Sequence, residues 1–551
     1  MAQIAPQEVA SYPLSRLVLR MRSLQAALGA FALLMAGCGG GGDSPAAPAN
    51  PPPSGSTYKP GEFLAASTYA AQCKTPRTGT DPTTSKPYPD KAGSTTTENY
   101  WLRSWSNDLY LWYSEIPDRD PALTNDTLAY FDLLKTSATT PSGAAKDKFH
   151  FTYNTADWIA LSGSGQELGY AIEWEVVTPT PPRVIMVRYV DPGSAAATAG
   201  ITRGLKVLLT DNVDVVSDNT SAGVDKILEA LYPTVAGAHQ IRFTNPATSA
   251  VLNVSLTAAV VTSDPVPIAS TLNTPVGKVG YLLFNSHNAP AEAKLVTAIN
   301  SLKAAGIQDL VLDLRYNGGG YLDIANELAY MIAGPTQAAG KTFESIQFNS
   351  KHPVTDPVTG AAITPDRFLT TTQGFSAPSG TSLPTLNLTR VYVLTTGDTC
   401  SASESIINGL KGAGVTVNQI GVTTCGKPYG FYPQDNCGTT YFSIEFRGVN
   451  QLGFGDYPDG FSATRTSATG APQANLPGCG AADDLAHQLG DPAEEQLRVA
   501  LTFRENGSCS AVLPFDASSG GLKRAAAASA GENGVALVPP TNPWHNNRIL
   551  R

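Results

Sequence analysis

Two short segments of this chain combine residue types that could carry out acyl transfer. Residues 313–320 read Asp-Leu-Arg-Tyr-Asn-Gly-Gly-Gly, and residues 399–404 read Thr-Cys-Ser-Ala-Ser-Glu. In the first, a predicted strand runs into glycines, which permit positive φ and bring backbone N–H groups close to a ligand. In the second, Ser401 opens a predicted helix and, with Glu404, also fits an ordinary capping box. Neither segment alone indicates a catalytic site.

A lysine in the sequence Gly426-Lys427 supplies a candidate base. A serine hydroxyl is a poor nucleophile until a neighbouring group takes its proton, and a lysine can do this only when neutral. Burial in an apolar site lowers the pKa of a lysine because it disfavours the charged form. Taken alone, Lys427 in a loop with glycine and proline would be a solvated surface residue.

The three motifs, in this order, resemble those of the tail-specific, or C-terminal-processing, serine peptidase family. The resemblance covers residues 98–464. It implies a Ser–Lys dyad on a crotonase-like β/α fold, with Ser401 as the nucleophile and Lys427 as the general base. It implies no metal ion and no organic cofactor. Its substrates would be exported proteins or peptides with apolar C-termini.

The start of the helix after Ser401 is also a candidate oxyanion hole. A helix N-terminus places free N–H groups and the positive end of the helix dipole near a developing negative charge. We expect the N–H of Ala402 and that of Gly318 or Gly319 to supply the two donors. They belong to two strand-to-helix turns, which lie side by side when the strands are adjacent.

One position departs from the family pattern. The residue four places after the lysine is a glutamine in much of the family and orients the lysine, whereas here it is Phe431. Glu404 or Gln434 could take that role, and the sequence does not choose between them. A non-catalytic peptide-binding protein with the same fold is therefore the alternative function. A carrier of apolar small molecules is a third reading, based on fold analogy alone.

Histidine and cysteine offer rival chemistries. Among the 6 histidines, His287 is best placed for a Ser–His–Asp triad, but no Gly-x-Ser-x-Gly elbow surrounds Ser401.

There are 7 cysteines, and without CxxC pairs or a histidine cluster they do not predict a zinc site. Six of them follow Cys38, and an even number in an exported chain suggests disulfides whose pairing is open. Cys425 and Cys437 could close a short loop; Cys400 with Cys425 would tie the serine and lysine segments together.

An upstream segment resembles a PDZ domain of the bacterial protease type. Residues 191–201 read as a turn and a short alanine-rich helix, and a strand led by Gly204 follows. Such domains capture a peptide C-terminus on backbone N–H groups and add the peptide as a strand. The candidate carboxylate-binding loop is Leu168-Gly169-Tyr170-Ala171. A β-domain that binds nothing is the plain alternative.

The N-terminus reads as an export signal. Arginines precede an apolar run that ends Met35-Ala36-Gly37-Cys38, which resembles the lipobox of bacterial lipoproteins, with Met35 where leucine is usual. Cys38 would carry the lipid, and the chain would be anchored in a bacterial cell envelope, facing the periplasm or the cell surface. The outer membrane is favoured because Gly39, not aspartate, follows the cysteine. Met21 is an alternative start.

Strand and helix patterns alternate from residue 275 to 427, which predicts an α/β fold with strands buried on both faces. The formal net charge of −9 and the absence of a basic stripe argue against a nucleic-acid partner. We predict a signal peptide (1–37), a flexible tether (38–57), a mostly helical N-terminal region (58–160), a PDZ-like domain (161–262), a peptidase domain (263–505) with a loop-rich insertion (340–385), and a mobile tail (515–551).

Overall fold

The computed structural model of the chain describes residues 58–464, 474–509, 534–540 and 547–549. The predicted signal peptide, the tether and the lipidation site at Cys38 lie outside the described residues. Within the described ranges, no helix combines the length and the apolar character needed to cross a membrane.

The N-terminal region is built around one amphipathic helix. Its elements are β1 (Gln72–Cys73), β2 (Lys91–Ala92), α1 (Thr95–Leu109), α2 (Thr127–Asp132), β3 (Phe151–Asn154) and α3 (Thr155–Ser164). Ser94 begins α1 because its side chain accepts a hydrogen bond from the Thr97 N–H. Trp101 and Trp105, one turn apart, stack at 5.2 Å and are buried, so the predicted aromatic stripe is the core of this region.

A second region is a twisted antiparallel sheet with two helices. Its elements are β4 (Gln166–Gly169), β5 (Ile172–Thr178), β6 (Val184–Val190), α4 (Ala195–Thr198), β7 (Lys206–Thr210), β8 (Val213–Asp214), α5 (Ser221–Leu231), β9 (Gly237–Thr244) and β10 (Val251–Thr262). The strand order β4-β10-β9-β7-β6-β5 leaves β4 and β5 outermost. Residues 168–174 do not form one strand: β4 ends at Gly169 and β5 begins at Ile172, because Ala171 adopts a φ of 59° that an extended strand does not accommodate.

The largest region is a mostly parallel sheet. Its elements are β11 (Ile268–Thr274), β12 (Gly277–Leu283), α6 (Ala291–Ala305), β13 (Asp309–Asp313), β14 (Gly319–Tyr321), α7 (Leu322–Ala338), β15 (Thr342–Phe348), β16 (Asp366–Arg367), β17 (Arg390–Thr395), α8 (Ala402–Gly412), β18 (Thr416–Gly421), β19 (Tyr429–Gly430), β20 (Gln434–Asn436), β21 (Thr439–Phe442), β22 (Phe446–Val449), β23 (Ser462–Thr464), β24 (Asn475–Cys479), α9 (Glu495–Asn506) and β25 (Asn547–Ile549). Its strand order is β11-β12-β13-β17-β18-β24-β23, with only β11 antiparallel to its neighbour among these described strands.

Alternate residues of the central strands enter different cores. Leu312 of β13 packs in the core that contains α6, α7 and α8, whereas its neighbour Val311 packs in the core that contains α9. Both faces of this sheet are therefore covered, which explains the near-continuous apolar runs of β13 and β17. The predicted α/β class is confirmed.

Two stretches differ from the predicted organisation. The insertion predicted as loop-rich contains β15, which pairs antiparallel with β22. In the tail predicted to be mobile, Leu537 and Ile549 are buried, with 1% and 2% of their surface exposed. All described residues belong to one compact unit, and the boundaries between its regions stay predictions.

Candidate functional site

Ser401 lies between β17 and α8 in a strained backbone conformation. Its φ of 62° and ψ of −113° are unusual for a residue other than glycine, and such strain is concentrated at functional sites. The side chain is buried, and its Oγ makes no hydrogen bond to any described residue. The hydroxyl is thus not used as a helix cap, although the N–H of Ser401 donates to Glu404 Oε2 at 2.9 Å. We call residues 399–403 the serine turn.

A buried carboxylate joins the serine turn to residues 424–427, which we call the lysine loop. Glu404 Oε2 accepts from the N–H of both Ser401 (2.9 Å) and Lys427 (2.8 Å). Its Oε1 accepts from the Gly426 N–H at 2.9 Å and from the Thr424 hydroxyl at 2.5 Å. Burial raises the pKa of Glu404, and these hydrogen bonds oppose that shift because they favour the ionised form.

A disulfide makes the same connection. Cys400 of the serine turn is bonded to Cys425 of the lysine loop, with their Cα atoms 5.1 Å apart. The other disulfides in the described residues are Cys73–Cys437 and Cys479–Cys509, so the suggested closure of a loop by Cys425 and Cys437 is wrong. The sulfurs next to Glu404 are consumed by this disulfide and are not available as thiolate metal ligands.

Lys427 is buried among aromatic rings. Its Nζ lies 4.2 Å from the ring centroid of Phe431 and 5.0 Å from that of Phe149. Phe431, at the position where a glutamine was expected, therefore packs against the lysine. The Gln434 amide instead donates to the Asp435 carbonyl, so of the two suggested orienting residues Glu404 is the one that holds the Lys427 main chain.

Asn317 connects the serine turn to residues 317–320, the glycine turn. Its carbonyl accepts from the Cys400 N–H at 3.1 Å and from the Ser403 hydroxyl at 2.9 Å. Its Oδ1 accepts from the Gly319 N–H at 3.0 Å. That amide is therefore engaged, which leaves Gly318 and Ala402 as the better candidate oxyanion donors. Asn317 was not among the residues predicted to form the site, although it belongs to the motif.

The rival base, His287, lies beside the glycine turn but faces Asn317. Its Nδ1 is 2.9 Å from Asn317 Oδ1, and its Nε2 makes no hydrogen bond to a described residue. Burial lowers the pKa of His287 to about 3, so the ring is neutral at ordinary pH. Because Ser401 Oγ also makes no hydrogen bond to a described residue, a Ser–His pair is not formed between them.

Comparison with known proteins agrees with this geometry. Residues 278–430, which contain the glycine turn, the serine turn and the lysine loop, match the model of Peptidase family S41. This region is similar to the peptidase domain of that family. The match confirms the resemblance read from the motifs.

Individual relatives are distant. A carboxyl-terminal-processing protease of Picosynechococcus sp. is 28% identical over 170 residues, which are 31% of this chain and 38% of that protein. The chain therefore matches well under half of this relative's length. The crystal structure of a putative S41 protease from Bacteroides fragilis is 22% identical, with a TM-score of 0.55 over 76% of this chain and 98% of the other, and shows the same fold. The photosystem II D1 C-terminal processing protease is 18% identical, covers 70% of this chain and 94% of its own, and has a TM-score of 0.39.

The predicted peptide-binding loop lies at the start of the outer strand β5. Leu168 and Gly169 end β4, and the Tyr170 hydroxyl donates to the Ala230 carbonyl at 2.9 Å. Trp174 Nε1 donates to the Leu231 carbonyl at 3.0 Å. These two bonds hold the start of β5 against the end of α5. The identity of this region as a PDZ domain stays a prediction.

A charged pair connects the antiparallel sheet of β4 to β10 with the residue just before the serine turn. Arg188 of β6 lies 2.9 Å from Asp398, which precedes the serine turn, and also pairs with Glu175 of β5. Arg188 is buried, and the two carboxylates raise its pKa above the usual range against the effect of burial. One buried side chain thus contacts both β5 and the residue before the serine turn.

Proposed function

We propose that the chain is a serine endopeptidase in which Ser401 is the nucleophile and Lys427 the general base. The observation that carries the proposal is the buried Ser401 hydroxyl, held in a strained turn without a described hydrogen-bond partner. Glu404 and the Cys400–Cys425 disulfide join that turn to the loop that carries the buried lysine.

The reaction follows from these roles. Neutral Lys427 takes the proton of Ser401 Oγ as the oxygen attacks the scissile carbonyl. The N–H groups of Ala402 and Gly318 stabilise the oxyanion of the tetrahedral intermediate. Lys427 then gives its proton to the leaving amine, and a water molecule, deprotonated by Lys427, hydrolyses the acyl-enzyme. Burial among Phe431 and Phe149 supports the neutral lysine, because water that would solvate the ammonium is excluded.

The proposed substrates are exported proteins recognised near an apolar C-terminus. The position of β5 as an outermost strand among the described strands of its sheet supports this, since an extended peptide can add to such a strand. The proposed location is the bacterial cell envelope, through a lipid on Cys38. The reaction as proposed needs no cofactor.

A non-catalytic peptide-binding protein is the second candidate. Phe431 favours it, because an aromatic ring occupies the position from which a glutamine amide would orient Lys427. The face of an aromatic ring also attracts a cation, which opposes formation of the neutral base.

Cleavage by matched variants tests the proposal. The purified chain, Ser401→Ala and Lys427→Ala would be incubated with an unfolded protein that ends in apolar residues, and fragments followed by mass spectrometry. Ser301→Ala and Lys303→Ala, at exposed positions of α6, are the controls. We expect the wild type and the controls to cut and the first two variants to lose activity by about 10³-fold or more. Cleavage by Ser401→Ala would refute the nucleophile, and cleavage by Lys427→Ala would refute the base.

A fluorophosphonate probe separates the two candidate functions. Labelling of the wild type but not of Ser401→Ala supports the enzyme. A wild type that is neither labelled nor active on several unfolded substrates, yet binds peptides, supports the binding protein.

A further inference from the structure

Residues 547–549 lie beside the chain's own candidate active site. Strand β25 (Asn547–Ile549) pairs in parallel with β14, the strand that leaves the glycine turn. In this register Asn547 is opposite Gly319 and Ile549 is opposite Tyr321. Ile549 also forms a parallel bridge with Phe431, which follows the lysine loop. An extended segment is thus bound between the glycine turn and the strand after Lys427.

Ile549 fills an apolar pocket at this place. Its surface is 2% exposed, and it belongs to one cluster of buried side chains. That cluster includes Cys400, the residue before Ser401, and Phe431 and Phe149, the two rings against Lys427 Nζ. The walls of the pocket are therefore shared with the candidate catalytic residues. A branched aliphatic side chain fits such a pocket, whereas a charged one would lose its hydration there.

Residues 535–537, which precede β25 in the chain, are bound to the antiparallel sheet of β4 to β10. Leu537 is buried in the core of that sheet, and its N–H donates to the Pro179 carbonyl at 2.9 Å. The Val535 N–H donates to Asn219 Oδ1 at 2.6 Å, and its carbonyl accepts from Arg183 at 2.9 Å. This attachment keeps β25 near the site, because a tethered segment has an effective concentration on the order of millimolar.

We propose that the C-terminal strand is an intramolecular ligand of the peptidase site, and that the Ile549 pocket selects a branched apolar side chain in competing peptides. The inference rests on the proposed function for its role in catalysis, since the strand then competes with substrate. At an effective concentration of about 1 mM, a strand that binds its position with an intrinsic Kd of about 0.1 mM reduces the apparent affinity of a competing peptide about tenfold. Substrate segments are bound in the same extended form beside β14.

A binding experiment tests this without catalysis. Ser401→Ala chains prevent cleavage, and the probe is a fluorescein-labelled synthetic peptide with the sequence of residues 541–551. The peptide is titrated by fluorescence anisotropy into the full chain, a chain ending at residue 546, and a full chain with Ile549→Asp. Val538→Asp is the matched control, because Val538 lies on the same segment but is 50% exposed. A peptide with aspartate in place of its isoleucine tests the pocket.

The truncated and Ile549→Asp chains should bind the peptide at least about tenfold more tightly than the full chain and the Val538→Asp chain do. Equal affinity for all four chains would overturn the proposal. It is also overturned if the aspartate peptide binds as tightly as the natural one. Truncation after residue 546 and the Ile549→Asp substitution both remove the strand from its position. If one of these two chains misfolds, the other still tests the proposal.

An activity arm separates this inference from the peptidase function. With Ser401 intact, the truncated chain should cleave an unfolded protein faster than the full chain, and added peptide should inhibit it competitively. If truncation tightens peptide binding but neither chain cleaves, the intramolecular ligand stands and the peptidase function fails. If both chains cleave at the same rate and bind the peptide equally, the peptidase function stands and the intramolecular ligand fails.

Discussion

Replacing Glu404 by glutamine should loosen the serine turn and the lysine loop together. The carboxylate accepts four hydrogen bonds, two on each oxygen, from three backbone N–H groups and one hydroxyl. A glutamine keeps one accepting oxygen, and its NH₂ group must face two former donors. In Glu404→Gln two charge-assisted hydrogen bonds are therefore lost.

The size of the effect follows from these bonds. A hydrogen bond to a charged group contributes about 1.5–3 kcal/mol, so two lost bonds cost about 3–6 kcal/mol. Two effects reduce the loss: the Thr424 hydroxyl can rotate to accept from the new NH₂ group, and the cost of burying a charge is removed. We expect the free energy of unfolding of Glu404→Gln to fall by about 3 kcal/mol.

The free energy of unfolding is measured by urea titration, with tryptophan fluorescence as the signal. The rate at which a fluorophosphonate labels Ser401 measures the geometry of the site. Glu62→Gln is the control, since Glu62 is 69% exposed and pairs only with Lys59 among the described ion pairs. Its free energy of unfolding should change by less than about 0.5 kcal/mol. A Glu404→Gln variant that stays within about 1 kcal/mol of wild type and is labelled at the wild-type rate would refute the reasoning.

Two other side-chain groups have testable effects. Burial raises the pKa of Glu327 from 4.5 to about 9, so the folded chain keeps a proton that the unfolded chain releases, and stability falls as the pH rises between these values. Glu327→Gln should therefore have a higher Tm than wild type at pH 9 and nearly the same Tm near pH 4.5; thermal unfolding curves that coincide at every pH would contradict this. Replacing Cys400 and Cys425 by serine opens a link across a sequence separation of 25 residues and should cost about 3–4 kcal/mol by urea unfolding. The same change at Cys479 and Cys509, separated by 30 residues, should cost a similar amount but leave the labelling of Ser401 unchanged; equal labelling of both double variants would show that the first link does not position the serine.

Local sequence was sufficient where chemistry and periodicity are local. Residues 291–305 form α6 and residues 184–190 form β6, and the apolar pattern of each segment is typical of the element it forms. The glycine turn, the serine turn and the lysine loop were found by residue type and order. The strained backbone of Ser401 was not predicted, because the serine turn is held in part by bonds from Cys400 and Ser403 to Asn317, which is distant in sequence.

The order of the motifs thus determined by itself which serine, lysine and glycines form the candidate site and that they lie on an α/β fold. Only the tertiary structure decided what surrounds them: Glu404 and a disulfide as the links between two loops, Phe431 against Lys427, and the strand ending at Ile549 beside the glycine turn. The physical reason is sequence separation. Contacts between segments that are not neighbours in sequence depend on the whole packed chain, and no local pattern of residues records them.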